Sequence, residues 1–506
     1  MSDSSVADAL RSDARLIVVE APAGCGKTYQ GSKYARDAAT QLQHARVLIL
    51  AHTHAACDVF ADRTRGCGGK VDVSTIDSLL CAVASAYHSS LGLPPDCGAW
   101  ARKQTDGYRI LAAKVIALLR HSKVVSVALA RRYPIVICDE HQDATSDQHA
   151  LAISCRDAGS KVRIFGDPMQ SIYSTTKSEM AADQERWTTI VSSADSFEEL
   201  DTPHRWHPKS KELGHWILET RKALRDGGQI DLTKKLPNEV SFVIAENQAR
   251  DPRGYSFSGD GAKHIYAVVK KTSPLLILTP HNDTVNALRG LFNRSIPIWE
   301  GHVRDDLSVL ADSLTANEGD ASAVGSAMCT FLESVAKGCS PSALGNGLLN
   351  EIRTGCASTR RGRPASVQSL ARMIVDKPNH CGVGRALRAL RDLAGNDPAF
   401  NGIEIDYSRE FWDAVRLGQF NTADEGLAEL ARRRTSVRPL PPPKAISTIH
   451  KAKGLECAHV VLMPCDSKHF SNTLASRFKM YVAISRAMSS LTFVVSRTKQ
   501  SPLIKL

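Results

Sequence analysis

The sequence predicts an α/β protein of two parallel-sheet domains, each interrupted by a mostly helical insertion. Short runs rich in Val and Ile recur along the chain, apolar at successive positions, so that both faces of each strand are suited to burial. Polar, helical-looking sequence follows each run. At 506 residues the chain is also too long for one compact core, which suggests two to four domains.

The first set of runs is LIVVEA (Leu16 to Ala21), RVLILAH (Arg46 to His52), VDVSTI (Val71 to Ile76), PIVICDE (Pro134 to Glu140) and KVRIFGD (Lys161 to Asp167). A second set is LLILTP (Leu275 to Pro280), AISTIH (Ala445 to His450), HVVLMP (His459 to Pro464) and SLTFVVS (Ser490 to Ser496). Between Leu307 and Leu430, and again between Leu79 and Arg132, apolar residues fall at helical spacing, as in LARMIVDKP and GRALRALRDLAG. These stretches read as helical insertions. Pro439, Pro441, Pro442 and Pro443 cannot continue a helix and form a stiff linker back to the second sheet. We therefore expect one α/β domain over 1–80 plus 131–200 around an insertion at 81–130, and another over 201–300 plus 444–506 around an insertion at 301–443.

The composition, 43% hydrophobic and 23% charged, is that of a globular protein. No apolar run reaches the roughly 18 residues of a membrane span, and MSDSSVADALRSDAR has no apolar leader segment. A cytoplasmic protein without a membrane partner is expected. Thirteen scattered cysteines with no C-x-x-C pair argue for reduced thiols rather than a disulfide framework or a structural zinc. The net charge of +11 suits a polyanionic partner.

Directly after the first run comes A-P-A-G-C-G-K-T, residues Ala21, Pro22, Ala23, Gly24, Cys25, Gly26, Lys27 and Thr28. It matches the phosphate-binding loop G-x-x-x-x-G-K-[ST] except for Ala at the first position. Glycines let backbone N–H groups turn toward phosphate oxygens, Lys27 reaches the β- and γ-phosphates, and the Thr28 hydroxyl can bind Mg²⁺. The helix that follows adds positive potential at its N-terminus. After PIVIC comes D-E-H-Q-D (Asp139 to Asp143). Two carboxylates ending a buried strand would be costly without a cation nearby. Asp139 is placed to hold Mg²⁺ and Glu140 to orient and deprotonate an attacking water.

D-E-x-Q-D, with the phosphate loop before it and G-D-P-M-Q-S-I-Y (Gly166 to Tyr173) after it, closely resembles the UvrD/Rep/PcrA-type helicases of superfamily 1A. A-H-T-H-A-A (Ala51 to Ala56) resembles motif Ia, and S-T-I-D-S-L (Ser74 to Leu79) the segment after it. H-R-W (His204 to Trp206) occupies the place of the motif IV arginine. T-I-H-K-A-K-G-L-E (Thr448 to Glu456) is similar to motif V and Y-V-A-I-S-R-A (Tyr481 to Ala487) to motif VI. A set of ordered blocks is far more specific than any single one. The resemblance implies two RecA-like P-loop domains with ATP and Mg²⁺ as cofactors. It implies that Gln170 senses the γ-phosphate, and that Arg205 and Arg486, from the second domain, act as arginine fingers that make hydrolysis depend on domain closure. Glu456 is implied to contact the ribose, and Thr53, His54, Tyr173 and His450 to line the DNA track, where rings stack on bases.

The chain departs from that pattern in two places. The residues before Leu16 hold no Gln of the kind that reads adenine in the family, and S-T-T-K-S follows Tyr173 in place of an aromatic-Arg-Gly segment. Arg360, Arg361 and Arg363, and Arg432, Arg433 and Arg434, form basic clusters suited to phosphate contact or to a solvated surface. The expected function is a helicase or translocase, 3′-to-5′ by resemblance, acting on single-stranded or tailed duplex DNA in repair, recombination or phage defence. The alternative is a nucleic-acid-stimulated ATPase that regulates a separate nuclease subunit. For that reading the compact build is similar to the helicase subunit of the Gabija anti-phage system.

Overall fold

The computed structural model describes residues 2–174, 176–251, 254–258, 260–293, 295–299, 306–436 and 442–506. The chain divides into two compact units, Met1–Phe292 with Thr448–Leu506, and Asn293–Ser447.

The first unit is built on two large parallel sheets. In the first, β1 (Leu16–Glu20), β2 (Val47–Ala51), β3 (Val71–Thr75), β4 (Ile135–Cys138), β5 (Lys161–Gly166) and β6 (Ser196–Glu199) run in the order β3-β2-β4-β5-β1-β6. Every residue of β1 and β2 is buried, as runs apolar on both faces require. The sequence reading misses β6 because this edge strand alternates half-buried and exposed residues, and SFEE carries one large apolar side chain. The second sheet contains β7 (Val240–Ile244), β8 (Leu275–Thr279), β9 (Cys457–Cys465) and β10 (Ala487–Val495), in the order β8-β9-β10-β7. Strand β7 is likewise missed, since Ser241 and Phe242 are exposed on this edge. The strand Lys444–Thr448 leads the chain back into the first unit.

Helices α1 (Ser2–Arg11) and α2 (Lys27–Gln41) cover one face of the first sheet, where Val6, Leu10, Tyr34 and Phe60 pack on Ile17, Val19 and Ile49. Between β3 and β4 the chain is helical, and Leu80, Val83, Val115 and Leu119 cover the other face at Leu48, Val136 and Ile164. A fully buried arginine in β5 fixes α1 in place. Arg163 donates to the carbonyls of Leu10, Ser12 and Ala14 at 2.9, 2.9 and 2.8 Å. These acceptors lie at the negative end of α1, so a cation there is favoured.

The second unit is mostly helical. Asp306–Ala316, Ala321–Val335, Asn346–Arg353, Arg363–Asp376, His380–Asn396, Ser408–Leu417 and Ala423–Ser436 surround a core that includes Leu310, Phe331, Leu348, Leu370, Leu387 and Phe411. Part of the expected proline linker, Pro439 and Pro441, lies outside the described residues, as do the side chains of Arg432, Arg433 and Arg434. All thirteen cysteines are free. Among the described residues no helix is long and apolar enough to cross a membrane.

Candidate active site

The functional side chains of the first unit gather beyond the C-terminal ends of its strands, the usual ligand position in open parallel sheets. The loop Ala21–Thr28 leaves β1 and turns into α2. Gly24 and Gly26 have φ of 75° and 91°, the left-handed region that a side chain disfavours. A Cβ on Gly24 would also lie 2.6 Å from the Trp206 ring and 2.8 Å from Arg205 Cβ. The loop is therefore clamped from outside. Arg205 N–H donates to the Gly24 carbonyl at 3.0 Å, and Trp206 Nε1 donates to the Ala487 carbonyl at 2.6 Å. Ala23 N–H donates to Tyr481 Oη at 2.8 Å.

Lys27, the first residue of α2, pairs with Glu140 at 2.7 Å. Burial alone would lower the lysine pKa, yet the carboxylates of Glu140, Asp139 and Asp167 outweigh it and raise the value. Burial works against Glu140 as a carboxylate, but Lys27 and Lys453 and the hydrogen bonds from Lys27 and Gln142 bring its pKa down to about 2. Asp139 goes the other way, to about 7, through burial and the Glu140 charge beside it. Asp139 Oδ1 is buried with no hydrogen-bond partner among the described residues. A divalent cation is the partner such an oxygen calls for, and Asp139 and the half-buried Thr28 hydroxyl supply hard oxygen donors suited to Mg²⁺.

Three residues outside the expected set tie this centre to its neighbours. Gln142 donates to Glu140 Oε2 at 2.6 Å and accepts from Asp167 N–H at 3.0 Å. Arg221 bridges Asp167 and Glu20, each at 2.6 Å. Tyr481 Oη donates to Asp167 Oδ2 at 3.0 Å. Gln142 was legible as the Gln of D-E-x-Q-D. Arg221 was not, because its partners lie 54 and 201 residues away.

The structure brings Gln170, Arg205, Arg486 and Glu456 together at the same place. Gln170 Nε2 donates to Asp167 Oδ2 at 2.9 Å, and Gln170 Oε1 accepts from Arg486 at 3.4 Å. Arg486 is buried, and burial together with the like charge of Arg205 lowers its pKa to about 10. Arg205 pairs with Glu456 at 2.6 Å and donates to the Ser485 carbonyl at 2.8 Å. Arg205 belongs to the stretch from 201 onward that the sequence reading assigned to the second domain. It stands in the turn after β6, and its own N–H is bonded to the phosphate loop.

The four expected DNA-track residues fall into two pairs. Thr53 and His54 are exposed after β2, and Thr53 Oγ1 caps the next helix by accepting from Ala56 N–H at 3.2 Å. Tyr173 is 54% exposed and His450 is bonded to the Ile172 carbonyl at 3.0 Å. A further lysine lies beneath them: Lys453 Nζ donates to Asp143 at 2.5 and 2.7 Å and to the Gln170 carbonyl at 2.7 Å, and sits 4.6 Å from the Tyr173 ring centroid. The second lysine of H-K-A-K-G was its sequence signal.

A glycine cradle, a lysine at a helix start, paired carboxylates and two adjacent arginines define a P-loop ATPase of the helicase class. A family model described as an AAA domain matches residues 3–234. The model for the UvrD-like helicase C-terminal domain matches residues 444–494. Together the two matches support a UvrD-type superfamily 1 helicase. No curated protein matches it.

Proposed function

We propose that this protein hydrolyses ATP at the Lys27 loop and uses the cycle to move 3′ to 5′ along single-stranded DNA. Backbone N–H groups of Gly24 to Thr28 and the Lys27 ammonium hold the phosphates, while Thr28 and Asp139 hold Mg²⁺, which supplies charge neutralisation when bound. Glu140 takes the proton of the attacking water. While Lys27 pairs with it, Glu140 is a weak base. Phosphate oxygens that draw Lys27 away release the carboxylate for catalysis, so hydrolysis waits on substrate. Gln170, Arg205 and Arg486 oppose the charge that develops on the γ-phosphoryl group.

The observation that carries the motor reading is Lys453. One ammonium joins the acid closing D-E-H-Q-D, the backbone of Gln170 and the underside of Tyr173. Movement at the phosphate end must therefore shift an exposed ring suited to stacking on bases. The test is the steady-state ATPase rate alone and with single-stranded DNA, single-stranded RNA and duplex, followed by strand displacement on a 3′-tailed duplex. Strong stimulation by single-stranded DNA supports the reading. An ATPase indifferent to all three would remove the motor assignment and leave the hydrolase.

A further inference from the structure

Two buried ring nitrogens beside the catalytic carboxylate, His52 Nε2 and His141 Nδ1, have no hydrogen-bond partner among the described residues. They leave neighbouring strands. Leu50 of β2 stands in register with Cys138 of β4, and Asp139 N–H donates to the Leu50 carbonyl at 2.9 Å. His52 and the Glu140–His141 turn therefore leave the sheet side by side. Burial, His149 and His52 all oppose a proton on His141. A neutral imidazole carries one N–H and one lone pair, so a single bond between the two nitrogens satisfies both. Unfilled buried polar groups are costly, which gives that bond a driving force.

The two rings belong to different tasks. His141 directly follows Glu140, whose φ of 50° and ψ of 39° lie in the left-handed region that a side chain disfavours. A residue keeps such a conformation only where its surroundings enforce it. His141, 3% exposed, anchors this turn: its Nε2 is bonded to His149 Nδ1 at 3.0 Å, on the helix Ser146–Asp157. That helix is tied down in turn by Gln148 Nε2, which donates to Asp77 Oδ1 at 2.8 Å. His52, in contrast, directly precedes the exposed Thr53 and His54. Thr53 caps the helix His54–Arg63, whose first N–H groups face the side from which a phosphate is attracted.

We propose that His52 and His141 are positioning residues: nucleic acid on the Thr53–His54 loop brings His52 Nε2 to His141 Nδ1, and the bond sets the turn that aims Glu140 at the attacking water. The inference rests on the motor reading above and names a route by which occupancy of the strand site reaches the base. Neither ring touches the nucleotide in this scheme. The route lies beside the Lys453 link, which serves Asp143, Gln170 and Tyr173.

The test is the steady-state ATPase rate of the full chain against the concentrations of ATP and of single-stranded DNA, for the wild type, H52F, H52Q, H141F and H52F/H141F. H52F keeps the basal kcat, the KM for ATP and the half-saturating DNA concentration, and loses the stimulation. H52Q, whose amide reaches the place of Nε2, retains it. H141F loses the stimulation too, and the double variant falls no further than H141F, as two members of one link require. Phenylalanine also stacks on bases. An H52F variant stimulated like the wild type would therefore assign His52 to base contact and overturn the proposal. H52Q as impaired as H52F, or losses that add in the double variant, would overturn it as well. If melting shows that H141F does not fold, the comparison of H52F with H52Q decides alone. A wild type that single-stranded DNA does not stimulate removes the motor reading and this inference with it, whereas a stimulated wild type beside a normal H52F removes this inference alone.

Discussion

Lys27 and Glu140 show how one contact can hold a site ready and idle. Their 2.7 Å ion pair keeps Glu140 ionised, with a pKa of about 2. Replacing Glu140 with Gln preserves shape and removes the base. The expected outcome is nucleotide affinity near that of the wild type with turnover lost, read by binding titration beside steady-state hydrolysis. Arg486 is buried against Gln170 with its charge opposed by burial. Arg486→Ala should lower kcat by about 10³, the scale of an arginine finger; a rate within a few-fold of wild type would place it among structural cations. Lys453 and Asp143 are both buried, at 9% and 8% side-chain exposure. Removing the lysine alone strands a carboxylate, so Lys453→Met should cost about 3 kcal/mol or more. Adding Asp143→Asn restores the melting temperature while the DNA-stimulated part of the ATPase stays lost. Recovery of stimulation in the double variant would show that the pair only supports the fold.

At the scale of elements, the unit from β1 through the phosphate loop to α2 is positioned by parts remote in sequence. Trp206 and Tyr481 press on the loop from outside, and Arg163 ties α1 to β5. Gly24→Ala meets two penalties together, a φ of 75° and a Cβ 2.6 Å from the Trp206 ring. A left-handed non-glycine residue costs about 1–2 kcal/mol before any clash. Lowered thermal stability with nucleotide binding weakened in parallel is expected, and an alanine variant that binds normally would mean the loop can rearrange. The elements that escape sequence reading share one cause. Strands β6 and β7 are sheet edges with one face in solvent, so neither shows the doubly buried pattern of β1 or β2.

At the scale of the molecule, the helical unit Asn293–Ser447 closes its own core, with Leu310, Phe331, Leu370, Leu387 and Phe411 among its buried residues. A core complete within one contiguous segment is the condition for independent folding. Residues 293–447 expressed alone should be helical by circular dichroism and unfold in a single cooperative transition. A broad, non-cooperative melt would show that the segment depends on the rest of the chain. The catalytic unit has the opposite construction. Its Arg486 comes from a segment 316 residues beyond Gln170, so truncation at the strand Lys444–Thr448 removes Lys453, Glu456, Tyr481 and Arg486 at once.

What the sequence determined by itself was the chemistry that resides in contiguous residues. A glycine loop between a buried strand and a helix, and two carboxylates at a strand end, are local patterns whose physics does not depend on distant parts. The same holds for the parallel sheets, because burial on both faces is written into every internal strand. Tertiary structure decided the rest. It set Arg221 between Glu20 and Asp167, bonded the Arg205 N–H to the phosphate loop, and put Lys453 under Tyr173. Each of these is a charge or hydrogen bond between residues far apart in the chain, and no local pattern encodes which distant group will neutralise a buried one.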